Sequence, residues 1–169
     1  LFHRFMDFAA DLGVPVQLHT GHLAGSRDSI GKTNASLLTR LVEVHRNVRF
    51  DLFHGNWPYL GELLFLGKNH PQVALDCCWL HIIDPVYAVD LLERATLTLP
   101  HTKLHGFGGD YFDVPEFAVG HLAIARDNIA RALCRMIEHH WLDEGQALEL
   151  ARAWLFENPN RFFGLDLET

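Results

Sequence analysis

Cysteine is scarce in this sequence and arranged in no framework. The 169 residues hold three cysteines, Cys77, Cys78 and Cys134, with no C-x-x-C spacing. A disulfide scaffold is excluded on that count, and a reducing cytoplasm fits best. Long apolar runs are also missing. None approaches the ~20 residues that span a bilayer, and no signal peptide is visible, so no membrane partner is expected. Positive charge is in deficit, with 14 Lys and Arg against 21 Asp and Glu and a net charge of −7. Nucleic acid, which requires a basic surface, is therefore not an expected partner. There is no internal repeat, no low-complexity tract and no linker.

What remains is a chain with 49% hydrophobic and 21% charged residues. It reads as one globular unit over residues 1–169, long enough to bury a sizeable core. Because it opens at Leu1, inside an apolar helix-like segment, it is expected to be a piece of something longer. Apolar positions at helical spacing mark "FHRFMDFAADL" (2–12), closed by Gly13. Further helices are expected at 34–45 with Asn34 as cap, 58–69 with Pro58 in the first turn, 84–99, 114–141, and 143–156 with Asp143 as cap. Between them lie four strand-like stretches: "VPVQL" (14–18), "VRFDLFH" (48–54), "VALDCCW" (73–79) and "KLHGFGGD" (103–110). Strands alternating with helices predict an α/β fold with a parallel sheet and right-handed crossovers. Two architectures satisfy that order: an open doubly wound sheet, or half of a (β/α)8 barrel. A complete barrel takes about 250 residues.

Histidine is abundant, at 12 residues. Five of them (His45, His70, His101, His139, His140) are expected on solvated faces. The informative ones end strands. His19, His54, Asp76 and Asp110 stand at the four carboxyl-terminal strand ends, where parallel α/β folds gather functional residues. Imidazole and carboxylate donors together suit Zn²⁺ and its first-row neighbours. The competing reading makes the histidines hydrogen-bonded core residues and the aspartates helix caps. Side-chain alternation places His19 on the face of Gln17. It also places His54 with Phe50 and Leu52, which sends Asp51 toward the helices and calls for a cation such as Arg49 beside it. Gly21, Gly55 and the Gly108–Gly109 pair let the backbone turn near each candidate. "GSRDSIGKT" (25–33) misses the phosphate-loop spacing by one residue, and "GFGGD" (106–110) lacks the third glycine of a dinucleotide loop. Cys77 and Cys78 read as a buried strand pair.

Taken in order, these segments resemble the C-terminal half of the metal-dependent amidohydrolase superfamily. The resemblance is to its amidohydrolase-related branch, which includes decarboxylase-type enzymes and domains fused to glutamine-synthetase-like proteins. "PVQLHTGH" resembles that family's fifth-strand histidine segment, "FDLFHGNWPY" its sixth-strand His-Gly segment and "VALDCCW" its seventh strand. "TKLHGFGGDYFDVPE" resembles the eighth-strand aspartate segment, and "NPNRFFGL" the terminal N-x-x-R-x-x-x-L. The resemblance implies half of a TIM-type barrel, equivalent to strands five to eight. It makes His19, His54 and Asp110 divalent-metal ligands, zinc first with manganese or iron as alternatives. It gives His54 and Asp110 catalytic roles, with Asp110 taking the proton of an attacking water. Arg27, Trp57 and Tyr111 are candidate contacts to a small-molecule substrate, with Lys32 and Arg49 as weaker cations for an anionic one. The expected reaction is hydrolysis of a C–N, C–O or C–C bond. Decarboxylation, a uronate-isomerase-like reaction and a non-catalytic binding domain are the alternatives. The sequence departs from the family in having no H-x-H pair. A missing N-terminal barrel half or a second copy is therefore the expected partner, and low activity is expected of this chain alone.

Overall fold

The computed structural model describes residues 1–23 and 29–168. Arg27 and the start of the 25–33 stretch lie outside the described residues. Helix α1 (Phe2–Leu12) ends on Gly13, which takes the left-handed conformation at φ 66° that glycine adopts without steric cost. Strand β1 (Val16–Leu18) follows. A single 3₁₀ turn, Ala35–Leu38, leads into α2 (Thr39–Val44). The Asn34 side chain caps that turn by accepting from the Ser36 N–H. Strand β2 (Phe50–Leu52) and the turn Phe53–Asn56 lead to α3 (Leu60–Asn69), so Pro58 lies before the helix rather than in its first turn. Strand β3 (Val73–Asp76) is followed by the short α4 (Leu80–Ile83), which periodicity did not anticipate. Then α5 (Pro85–Thr98) starts where Asp84 accepts from the Tyr87 N–H. Strand β4 (Leu104–His105) precedes α6 (Pro115–Glu138). Helix α7 (Glu144–Arg152) opens with a capping box between Asp143 and Gln146. The terminal "NPNRFF" forms α8 (Asn158–Phe163).

The four strands lie side by side in chain order, β1-β2-β3-β4, and every neighbouring pair is parallel. A doubly wound sheet reverses its order at a switch point. Unreversed order with same-handed crossovers keeps the helices on one face of the sheet, as in a segment of a singly wound barrel. The core lies between sheet and helices. Phe50, Leu52, Leu75 and Leu104 are buried there with Leu63 and Leu66 of α3 and Leu91 and Leu92 of α5. Burying each such side chain contributes about 1.5–3 kcal/mol.

The opposite face, the interior of the barrel, is polar. Asp51 is fully buried there. It accepts hydrogen bonds from Gln17 Nε2 at 3.1 Å and His105 Nδ1 at 2.9 Å. This corrects the alternation argument: Phe50 and Leu52 face the helices, and Asp51 points inward with Gln17. Arg49 is not its partner, since that guanidinium donates to the carbonyls of Phe162 and Gly13 at the amino ends of the strands. Below Asp51, the Phe162 and Phe163 rings pack on His105, at 4.8 and 5.6 Å between centroids. Asn158 fixes the last helix by donating to the carbonyls of His101 and Leu104, at 2.7 and 2.9 Å. His45 is also corrected. It is buried rather than solvated, 2.8 Å from a ring nitrogen of His3.

Candidate metal centre

The strands are shorter than their hydrophobic runs suggest, because the chain leaves the sheet abruptly at each carboxyl end. After β2 three successive residues, His54, Gly55 and Asn56, adopt φ values of 60°, 55° and 53°. For a non-glycine residue that conformation costs about 1–2 kcal/mol. Asn56 offsets it: its Oδ1 accepts from the Ala35 N–H at 2.8 Å and its Nδ2 donates to the Tyr59 carbonyl at 2.9 Å. The turn breaks strand alternation, so His54 swings into the barrel interior although Leu52 faces the helices. The loop after β1 is locked onto this turn. Gly21 sits at φ 66°, and a Cβ there would fall 2.3 Å from Asn56 C and 2.4 Å from Trp57 N.

His54, buried at 2% exposure, meets the Cys78 carbonyl through Nδ1 at 2.8 Å and His19 Nδ1 through Nε2 at 2.8 Å. A carbonyl only accepts, so His54 Nδ1 carries the proton. In the neutral ring Nε2 is then the lone-pair atom facing His19. Burial lowers the His54 pKa below its ordinary value, against the raising effect of the Cys78 hydrogen bond. The ring is thereby kept in its metal-binding, neutral form. Asp110, exposed at the cleft and at φ 52°, completes a group whose ligand atoms with those of His19 and His54 all lie within 4.8 Å of one another. They line a cleft of about 260 Å³ with His22, Trp79, Tyr111, Phe112 and Asp113. The donor chemistry fits a divalent ion: two imidazoles and a carboxylate, with the far nitrogen of one imidazole tied to a backbone carbonyl.

Asp76 does not join them. It belongs to a second, wholly buried group with Asp51 and His105. Its carboxyl is held well above the usual carboxylate range, first by burial and then by the charge and hydrogen bond of Asp51. Two carboxyls in hydrogen-bond contact share a proton. Of the candidate substrate contacts, Tyr111 lines the cleft. Trp57 stands behind it, its indole N–H donating to Asp84 at 3.1 Å and its ring 6.2 Å from that of His22. Lys32 is exposed on a separate 3₁₀ turn, Arg49 is at the far end of the strands, and Arg27 is outside the described residues. His22, expected as a loop residue behind the ligands, lines the cleft with Trp79, which pattern did not single out; their rings lie 5.7 Å apart. The pairing of His22 with His19 across a glycine was the signal for His22. Cys77 and Cys78 are buried, and burial pushes both thiols up, which disfavours a nucleophilic thiolate at either.

The Amidohydrolase family model matches residues 1–165. The chain belongs to the amidohydrolase family. Among curated proteins, this amidohydrolase chain is 28% identical over 156 residues to the protein fluG of Emericella nidulans, covering 90% of this chain and 18% of that protein. Among solved structures, it superposes on a Lactobacillus casei protein assigned as a metal-dependent hydrolase, with a TM-score of 0.82 at 18% identity. That match covers 99% of this chain and 44% of the other. The chain thus spans less than half the length of either relative. The structural likeness establishes the parallel α/β fold and its barrel-like strand order.

Proposed function

We propose that this chain supplies half of the active site of a metal-dependent amidohydrolase acting on a small molecule. One observation carries the reading: His19, His54 and Asp110, from the carboxyl ends of β1 and β2 and the loop after β4, place their ligand atoms within 4.8 Å of one another. Zinc is the favoured ion, with manganese or iron as alternatives. A divalent ion held there would polarise a substrate oxygen and acidify water. The residues of the chain divide the remaining work. His54 is held in one tautomer by the Cys78 carbonyl and presents Nε2 to the site. Asp110 would hold the ion beside the two histidines and could accept a proton from an attacking water, and its exposure at the cleft would let that proton leave to solvent. Trp79, Tyr111 and Phe112 line the cleft.

Three donors make a bare ligand set. The outer edges of β1 and β4 have no strand neighbour among the described residues. The outer face of α1 exposes Phe5, Phe8 and Leu12. These features support completion of the barrel, and of the ligand set, by a further segment or a second copy. The test is elemental analysis of the purified chain beside His19→Ala, His54→Ala and Asp110→Ala. Bound zinc, manganese or iron that falls in all three variants is the expected result. Metal retained in all three, or a wild-type chain that takes none when supplied, would sink the reading and favour a non-catalytic binding domain.

A further inference from the structure

The buried polar floor of the half-barrel meets the candidate centre at Cys78. Its N–H donates to Asp76 Oδ1 at 2.6 Å, and its carbonyl accepts from His54 Nδ1 at 2.8 Å. Asp76 is 4% exposed and hydrogen-bonded on its other side to Asp51. Asp51 is anchored in turn by His105 and Gln17, which belong to β4 and β1. The Cys78 backbone is confined from the remaining side as well. Trp79, at φ 59°, donates to the Gly108 carbonyl at 2.9 Å. A Cβ on Gly108 would lie 3.0 Å from Cys78 Cα, which shows how closely the two strand ends approach.

We infer that Asp76 is a positioning residue for His54, acting through the Cys78 backbone. This inference rests on the proposed metal centre. The His54 tautomer is set by where the Cys78 carbonyl points. The peptide that carries that carbonyl is held by the Trp79 N–H on Gly108, and the Asp76 hydrogen bond on the Cys78 N–H holds the preceding peptide, so the two together fix how the carbonyl is aimed. Removing the carboxyl leaves a buried N–H without a partner. The segment relaxes to satisfy it, and the carbonyl leaves His54 Nδ1. The ring is then free to place its proton on Nε2, which blocks the nitrogen that faces His19. Loss of the group hydrogen-bonded to a ligating histidine, here the Cys78 carbonyl, typically costs about 10–100-fold in metal affinity. Asparagine preserves both contacts: its Oδ1 accepts from Cys78, and its amide donates to Asp51 as the shared proton does now.

The test compares wild type, Asp76→Asn and Asp76→Ala in two ways. Histidine ¹⁵N shifts of the metal-free chain read the His54 tautomer, and titration with Co²⁺ reads affinity and the visible ligand-field bands. Wild type and Asp76→Asn are expected to show one Nδ1-protonated His54 and indistinguishable Co²⁺ titrations. Asp76→Ala is expected to show mixed tautomers, altered bands and binding weaker by about 10–100-fold. A folded Asp76→Ala that keeps the wild-type tautomer and affinity overturns the inference, as does a folded Asp76→Asn that loses them. Should the alanine variant not fold, Asp76→Leu fills the same space without an acceptor and takes its place. A wild-type chain that binds no Co²⁺ defeats the metal-centre reading alone, and the tautomer measurement still decides the role of Asp76.

Discussion

Replacing Asn56 tests the turn that aims His54, and the structure fixes both the size and the order of the effects. Asn56 is fully buried. Asn56→Ala deletes its bonds to the Ala35 N–H and the Tyr59 carbonyl. An unsatisfied buried polar group costs about 1–3 kcal/mol. The alanine must also hold φ at 53°, which asparagine tolerates and alanine does not, for about 1 kcal/mol more. The sum is a loss of about 3–7 kcal/mol, or a fall in Tm of about 6 °C or more at this chain length. Asn56→Gly loses the same hydrogen bonds and keeps the backbone angle. It should therefore be the more stable of the two by about 1 kcal/mol, the reverse of the usual glycine penalty. Urea unfolding followed by far-UV circular dichroism measures both. An alanine variant within about 1 kcal/mol of wild type, or a glycine variant less stable than alanine, would refute the reasoning.

Other expectations follow from the same structure. Gly21→Ala should cost about 3 kcal/mol or more, because its Cβ would meet backbone rather than a movable side chain; a normal melting temperature for that variant would contradict the locked loop. His121 is 2% exposed and neither ring nitrogen has a hydrogen-bond partner among the described residues, and burial lowers its pKa to about 4. The unfolded chain therefore binds more protons between pH 4 and 6.5, so stability is fully present above 6.5 and lost as pH falls toward 4, by up to about 3 kcal/mol. His121→Phe should remove that part of the acid sensitivity, read as a smaller drop in urea midpoint between pH 7 and pH 4.5. Cys134 is exposed while Cys77 and Cys78 are buried. A thiol reagent should therefore titrate one cysteine in the native chain and three after unfolding; rapid labelling of all three in the native chain would place the β3 end at the surface.

The helices were legible because amphipathic period, capping residues and Gly13 act locally. α1, α5 and α6 fall close to where the spacing of apolar residues put them. The parallel sheet was legible because four apolar runs are separated by helices. The strand ends were not, since a run such as "VRFDLFH" is equally apolar on either side of the residue where the chain turns out of the sheet. His19, His54 and Asp110 could be named from the sequence because each follows an apolar run and sits beside glycine. The faces could not be assigned in the same way. Alternation holds only while the backbone stays extended, and His54, Gly55 and Asn56 are all left-handed. That is why Asp51 was expected against the helices and lies in the barrel interior. Asp76 was grouped with the site on position alone. Its partners, Asp51 and His105, come from neighbouring strands 25 and 29 residues away along the chain, and only the sheet register brings them together. Sequence determined which residues are candidates for chemistry and which elements carry them. Tertiary structure decided which of them meet, because convergence depends on strand order, register and turns that no local spacing encodes.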